Sequence, residues 1–101
     1  MKNFKNKVAA ITGAGSGIGQ QLAILLAKQG CHLSLSDIND KGLAQTVELV
    51  KQYPITVTTK VLDVSNRDAV KQWAQESVQD QGSVNMTFNN AGVAVGSKVV
   101  G

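Results

Sequence analysis

The stretch Thr12-Gly13-Ala14-Gly15-Ser16-Gly17-Ile18-Gly19 places a glycine at every second position. It follows the apolar run Val8-Ala9-Ala10-Ile11 and opens a segment with helical spacing. A helix that starts at such a loop turns unbonded backbone N–H groups and a partial positive charge toward it. Glycine lets that backbone turn sharply and approach a ligand closely. The chemistry this suits is the grip of an anion, a pyrophosphate above all. Two familiar phosphate-loop spacings do not apply. The position five after Gly13 is Ile18 and the position five after Gly15 is Gln20, so neither GxGxxG nor GxxxxGK[ST] matches, and the loop holds no lysine.

Three further clusters carry polar groups suited to a ligand. Asp37 lies eighteen residues past Gly19, at the end of a stretch that alternates around Leu33 and Leu35. An acid there can accept hydrogen bonds from both hydroxyls of a ribose. The competing role, a helix cap, falls better to Asn39 or Asp40. Asp63-Val64 precedes Ser65; Asp63 suits an adenine amine and equally suits a helix start without any ligand. Asn89-Asn90-Ala91-Gly92 pairs two amides with a small-residue turn, a ligand-facing stretch or an Asx turn.

The elements that must position these clusters alternate between two periods. Val8 to Ile11 reads as a buried strand. Ile18, Leu22, Leu25, Leu26 and Gln29 recur at helical spacing, and Gly30 stops them. His32 to Ser36 alternates around Leu33 and Leu35 as a second strand. Leu43, Val47 and Val50 form the next helical stripe, starting near Asn39 or Asp40 and ending before Pro54. Ile55 to Leu62 is rich in β-branched residues and reads as a third strand. Ser65-Asn66-Arg67-Asp68 has the form of a capping box with a short acid. Val70, Trp73, Ala74 and Val78 then line one helix face, which Gly82 ends. Val84, Met86 and Phe88 alternate as a fourth strand. The order β-α-β-α-β-α-β predicts an α/β fold, a Rossmann-like doubly wound parallel sheet with helices on both faces. Ligands bind such sheets beyond the carboxyl ends of the strands, where all four clusters fall.

Composition narrows the remaining classes. The 101 residues suit one domain, 1–101, with 43% hydrophobic residues and 4% aromatics, so its core must be aliphatic. The net charge of +3 is mild, and Lys2, Lys5 and Lys7 read as a solvated terminus. No aromatic-plus-basic pattern supports nucleic-acid binding. Cys31 is the one cysteine, which excludes an internal disulfide and fits a reducing, cytoplasmic setting. Its place beside an apolar run suits a packed side chain. Leu22 to Ala27 is the longest apolar run, too short for a secretory signal or a membrane span. No metal site is expected.

Taken together in order and spacing, Thr12-Gly13, Gly17, Gly19, then Asp37, Asp63-Val64 and Asn89-Asn90-Ala91-Gly92 resemble the short-chain dehydrogenase/reductase family, from about Lys5 to Gly92. The loop is similar to that family's own TGxxxGxG form. The resemblance implies an oxidoreductase that moves a hydride between NAD(H) and an alcohol or carbonyl substrate. It implies that Gly13, Gly17 and Gly19 shape the pyrophosphate loop, that the Ile18 N–H donates to it, and that Thr12 pins it to the fourth strand. Asp37 would hold the adenosine ribose, and Asp63 and Val64 would frame the adenine. Asn89 would brace the sheet, while Asn90, Ala91 and Gly92 would lie along the cofactor. Members that use NADP place a basic residue just before the second motif glycine or just past the second strand. Ser16, Ile38 and Asn39 stand there in this chain, so NAD is expected over NADP. Two unit charges about 4 Å apart repel by roughly 4 kcal/mol at an effective dielectric of 20, and even a third of that disfavours a 2′-phosphate beside Asp37 about tenfold.

The family's catalytic serine and Tyr-x-x-x-Lys pair are not matched here. Tyr53 is the one tyrosine, Val57 stands four residues after it, and it reads as a surface turn residue. No catalytic residue is assigned. His32, at the opposite end of its strand, reads as structural. Family chains are much longer, so the expectation is an amino-terminal cofactor-binding half, cut before the catalytic half and inactive alone. The complete enzyme is expected to be a homo-oligomer that binds neither membrane nor nucleic acid. Two other classes stay open: a non-catalytic NAD-binding or scaffold protein, and an S-adenosylmethionine methyltransferase, against which Asn89-Asn90-Ala91-Gly92 and the TGxxxGxG spacing argue.

Overall fold

The computed structural model describes residues 4–90. The elements run β1 (Val8–Thr12), α1 (Gly17–Lys28), β2 (His32–Asp37), α2 (Asp40–Val50), β3 (Val57–Val61), α3 (Arg67–Gln81) and β4 (Met86–Asn89). The four strands make one parallel sheet in the order β3-β2-β1-β4. The chain steps outward from β1 through β2 to β3, then returns to lay β4 on the other side of β1. That reversal makes β1 the switch point of the sheet. All five residues of β1 are buried, as expected of a strand covered on both faces. Register brings the carboxyl ends level, with Thr12 opposite both Ser36 and Asn89, and Asp37 opposite Val61.

The two faces of the sheet differ in chemistry. Ala9, Ile11, Leu33 and Leu35 point toward α1 and α2, where they pack with Ala23, Leu26, Ala27, Leu43 and Val50. Full burial of one Leu or Ile side chain contributes about 1.5–3 kcal/mol, so this aliphatic layer carries most of the apolar stabilisation. The face under α3 has a smaller core of Ala10, Leu62 and Trp73. Hydrogen bonds supplement it: Ser34 Oγ lies 2.5 Å from Ser77 Oγ, and Gln81 Nε2 donates to Leu33 O at 2.8 Å and to Thr58 Oγ1 at 3.1 Å.

Several local expectations shift. Of the stripe Ile18, Leu22, Leu25 and Leu26, α1 buries only Leu26 fully, with Leu22 half-buried against the same core. Its buried positions are Gly19, Ala23, Leu26 and Ala27, while Ile18 is 75% and Leu25 56% exposed. Small residues beside Leu26 on the inner side let the helix sit close to β1, and Ile18 and Leu25 turn outward. β3 spans Val57–Val61, inside the predicted 55–62, because the Ile55 N–H bonds the Tyr53 carbonyl in a turn. Tyr53 is half-buried against the α1/α2 core rather than a surface turn residue; its N–H bonds Val50 O, and this closure folds the chain over that core. α3 is capped by Asn66, whose side chain accepts from the Ala69 N–H, and not by Ser65. His32 is structural as expected: its Nδ1 accepts from the Thr56 N–H at 2.9 Å. Cys31 is fully buried, and burial pushes its thiol pKa up, partly offset by a hydrogen bond from the Ala9 backbone.

Candidate functional site

The glycine loop sits between the end of β1 and the start of α1. Gly13 and Gly17 have φ of 67° and 56°, values that favour glycine. Gly19 faces the Gly13 carbonyl so closely that a side-chain carbon would collide with it. A Cβ at Gly17 would meet nothing within 4 Å, so the space before the helix is open. Ser16 is the N-cap residue of α1, but its side chain makes no cap bond, and the first turn of α1 holds no acid. The N–H groups of Gly17, Ile18 and Gly19 therefore have no carbonyl one turn back to receive them.

The loop is tied to both neighbouring strands. Thr12 Oγ1 lies 3.2 Å from Asn89 Oδ1 and 3.5 Å from Phe88 O, linking the end of β1 to β4. Asn90 Nδ2 donates to Gly13 O at 3.3 Å. On the other side, the Ala14 N–H donates to Ser36 O at 3.0 Å. Asp37 Oδ2 accepts from the Gly15 N–H at 2.7 Å, and its Oδ1 accepts from the Asn39 N–H at 2.9 Å. Each carboxylate oxygen keeps a second lone pair for another donor. Thr12, Gly13, Asp37 and Asn90 are thus brought together around the loop. Ile18 and Ile38, 75% and 65% exposed, are apolar side chains open to solvent at its margin.

Asp63 and Val64 are not tied to the loop. Asp63 Oδ1 accepts from the Ser65 N–H and hydroxyl at 2.9 and 2.8 Å. Those two bonds, backbone first, hold its carboxyl below the ordinary value, although the group is fully exposed. Val64 packs beside Leu62 and Trp73. Ala91 and Gly92 lie outside the described residues.

Other residues near the loop escaped the sequence reading. Thr46 of α2 is fully buried, and its hydroxyl reaches Ala14 O at 2.7 Å, while Gln20 Nε2 donates to it at 2.9 Å. Gly42 of α2 lies directly against Gly15. A threonine inside a helical stripe gives no signal of such a contact; only the glycine early in α2 hints at a close approach. An open hollow of about 480 Å³ runs beside Gly15 and Ser16, with Asn39, Lys41 and Gly42 on its other wall.

With this geometry in view, comparison with known proteins is direct. The family described as short chain dehydrogenase matches residues 7–100. SadH of Mycobacterium tuberculosis, which carries an oxidoreductase designation, is 44% identical over 99 residues, covering 98% of this chain. The chain spans 36% of the length of that relative. An NAD+-bound xylitol dehydrogenase superposes with a TM-score of 0.86 at 35% identity, over 90% of this chain and 35% of that one. Carveol dehydrogenase from Mycobacterium avium in complex with NAD gives 0.86 at 28% identity, over 97% of this chain and 40% of that one. No helix among the described residues is long and apolar enough to cross a membrane, and no group of metal-ligating side chains occurs among them.

Proposed function

This chain belongs to the short-chain dehydrogenase family, and from that premise we propose that it binds NAD(H), in preference to NADP(H), for an oxidoreductase acting on a small alcohol or carbonyl compound. Membership removes the methyltransferase alternative. The observation that carries the reading is the uncapped start of α1 beside a glycine loop on whose rim Asp37 accepts the Gly15 N–H. A diphosphate suits that start: the N–H groups of Gly17, Ile18 and Gly19 and the helix dipole favour an anion. Glycine at position 17 leaves the space in front of them clear. Relatives solved with NAD support the choice of dinucleotide.

Within this reading Asp37 receives the adenosine ribose hydroxyls on its remaining lone pairs. Ile18 and Ile38 lend apolar surface at the margin, and Ser16 shares the loop. Asp63 and Val64 flank the adenine, and Asn90, Ala91 and Gly92 extend along the cofactor. Bound nicotinamide cofactor supplies or accepts the hydride. The chain's own work is to bind and orient: loop amides hold the diphosphate, and Thr12, Asn89 and Asn90 hold the loop to β4. Residues 1–101 act as one cofactor-binding domain, and the substrate is engaged by groups other than those assigned here. The complete protein works as a homo-oligomer in the cytoplasm, and the 101 residues alone turn over no substrate.

The test is titration of the full-length protein with NADH and NADPH, followed by fluorescence. Binding of NADH at least tenfold tighter than NADPH is expected. Equal binding of both would defeat the assigned preference, and binding of neither would defeat the whole reading. NADH binding with no turnover on a panel of alcohols would instead favour the non-catalytic scaffold.

A further inference from the structure

We propose that α2 is the backstop of the cofactor loop, and that Thr46 and Gly42 are positioning residues that set residues 14 and 15 for dinucleotide binding. The inference rests on the reading of the loop given above and adds a role for a helix that reading leaves unused. Thr46 sits in the second turn of α2 and is fully buried. Its hydroxyl has one proton and two acceptor sites. Gln20, in the first turn of α1, donates into one acceptor site at 2.9 Å. The proton then goes to one of two carbonyls, Ala14 O at 2.7 Å or Gly42 O at 3.1 Å. The shorter contact is to the loop, so one hydroxyl joins the loop, α1 and α2.

Gly42 completes the contact from the backbone. A Cβ there would stand 2.5 Å from Gly15 O, and a Cβ on Gly15 would stand 3.0 Å from Gly42 C and from Leu43 N, and 2.8 Å from Asp37 Oδ2. Both glycines are needed because two backbones meet here, and neither can give way as a flexible side chain would. From the opposite side, Ser36 O and Asp37 Oδ2 take the N–H groups of Ala14 and Gly15. Residues 14 and 15 are therefore held between the end of β2 and the first turns of α2. The N–H groups of residues 17 to 19, which follow at once, keep their aim only if that segment does not move. A loop free to shift must be ordered at the moment of binding, and affinity falls by the fraction of molecules that have it in place.

The experiment measures NADH dissociation constants by fluorescence, with thermal melting of the ligand-free protein alongside, in the full-length protein. Thr46→Val keeps the shape and removes the hydroxyl; it should weaken NADH roughly tenfold, about 1.4 kcal/mol. Thr46→Ser keeps the hydroxyl and should stay within about twofold of the parent. Gly42→Ala should weaken NADH by a similar tenfold, since its methyl group pushes on Gly15 O. A merely structural role would lower the melting temperature and leave the dissociation constant of the folded protein unchanged, which would overturn the proposal. Loss of affinity in Thr46→Ser equal to that in Thr46→Val would overturn it as well. If Thr46→Val does not fold, Gln20→Met, at a half-buried site, carries the test. A fall of about threefold supports the role, and an unchanged constant refutes it. Failure of the unaltered protein to bind NADH would sink the loop reading itself, a result distinct from binding that ignores residues 20, 42 and 46.

Discussion

The start of α1 and the starts of α2 and α3 solve the same problem in opposite ways. Each helix leaves a strand at the carboxyl edge of the sheet with N–H groups that need partners. α2 takes the Asn39 side chain onto the Gly42 N–H and puts Asp40 in its first turn. α3 takes the Asn66 side chain onto the Ala69 N–H and puts Asp68 in its first turn. α1 has an extended Ser16 with no side-chain bond and no acid in its first turn. Two helices thus satisfy their own dipoles, and the third has no side-chain cap among the described residues. On the proposed reading the capped starts serve stability and the uncapped one serves binding, and substitutions at the two kinds of start should separate these quantities.

The largest effect is expected at α1. In Gly19→Ala the new methyl group meets the Gly13 carbonyl at a distance no side chain tolerates, so the loop must move. An overpacking cost of about 2–3 kcal/mol should appear as roughly hundredfold weaker NADH binding, read by fluorescence titration. Full affinity in this variant would show that the start of α1 does not hold the dinucleotide.

A smaller effect is expected on the rim. Asp37→Ser removes a negative charge while Lys41, on the wall of the hollow beside Gly15 and Ser16, remains. The ratio of NADPH to NADH dissociation constants should narrow by about tenfold. The Gly15 N–H also loses its acceptor, so NADH itself should bind more weakly. An unchanged ratio would detach Asp37 from selectivity and leave it only the task of anchoring the loop.

At a capped start the pattern should invert. Asn66→Ala removes the acceptor for the Ala69 N–H and should cost about 1 kcal/mol of stability, a drop of a few degrees in melting temperature. NADH affinity should not change. A cap variant that weakened NADH as strongly as Gly19→Ala would erase the distinction between the helix starts.

How far this contrast can be read from sequence depends on the range of the interactions. The asparagines at 39 and 66 and the glycines of the loop act on neighbours in the chain, so their types and spacing announce them. The element order and the parallel sheet follow from the alternation of periods, and the pairing of β4 beside β1 agrees. Long-range contacts are silent. Nothing in Ser34 points to Ser77, 43 residues on, and nothing in Thr46 points to Ala14, 32 residues back. The phase of α1 misleads for a related reason. Its leucines are the apolar signal, yet only Leu26 of them joins Gly19, Ala23 and Ala27 on the buried face, because closeness to the sheet outweighs side-chain size there. Asp63 illustrates a third case, an acid with two competing uses whose carboxylate, in the ligand-free chain, accepts the N–H and the hydroxyl of a residue two places on.

That acid supplies the smallest effect, at the turn before α3. Asp63 belongs to the turn that leads into the Asn66 cap, and its Oδ1 accepts both the N–H and the hydroxyl of Ser65. These bonds favour the charged form and lower its pKa from the ordinary 3.8. A lowered folded value means that the unfolded chain takes up the proton first as acid is added. The turn therefore contributes its full stability above about pH 4 and loses it as the pH falls through the folded value below 3.8. Ser65→Ala deletes one of the two donors and should narrow that window without closing it, since the Ser65 N–H remains. Melting curves of the full-length parent and variant should differ slightly at pH 7 and converge as the pH falls through the lowered folded value. A difference that persisted undiminished into acid would show that Ser65 acts by packing and not through the charge of Asp63. NADH affinity that changed with Ser65→Ala at pH 7 would show that this turn serves the ligand as well as the fold, through the Asp63 carboxylate proposed to flank the adenine.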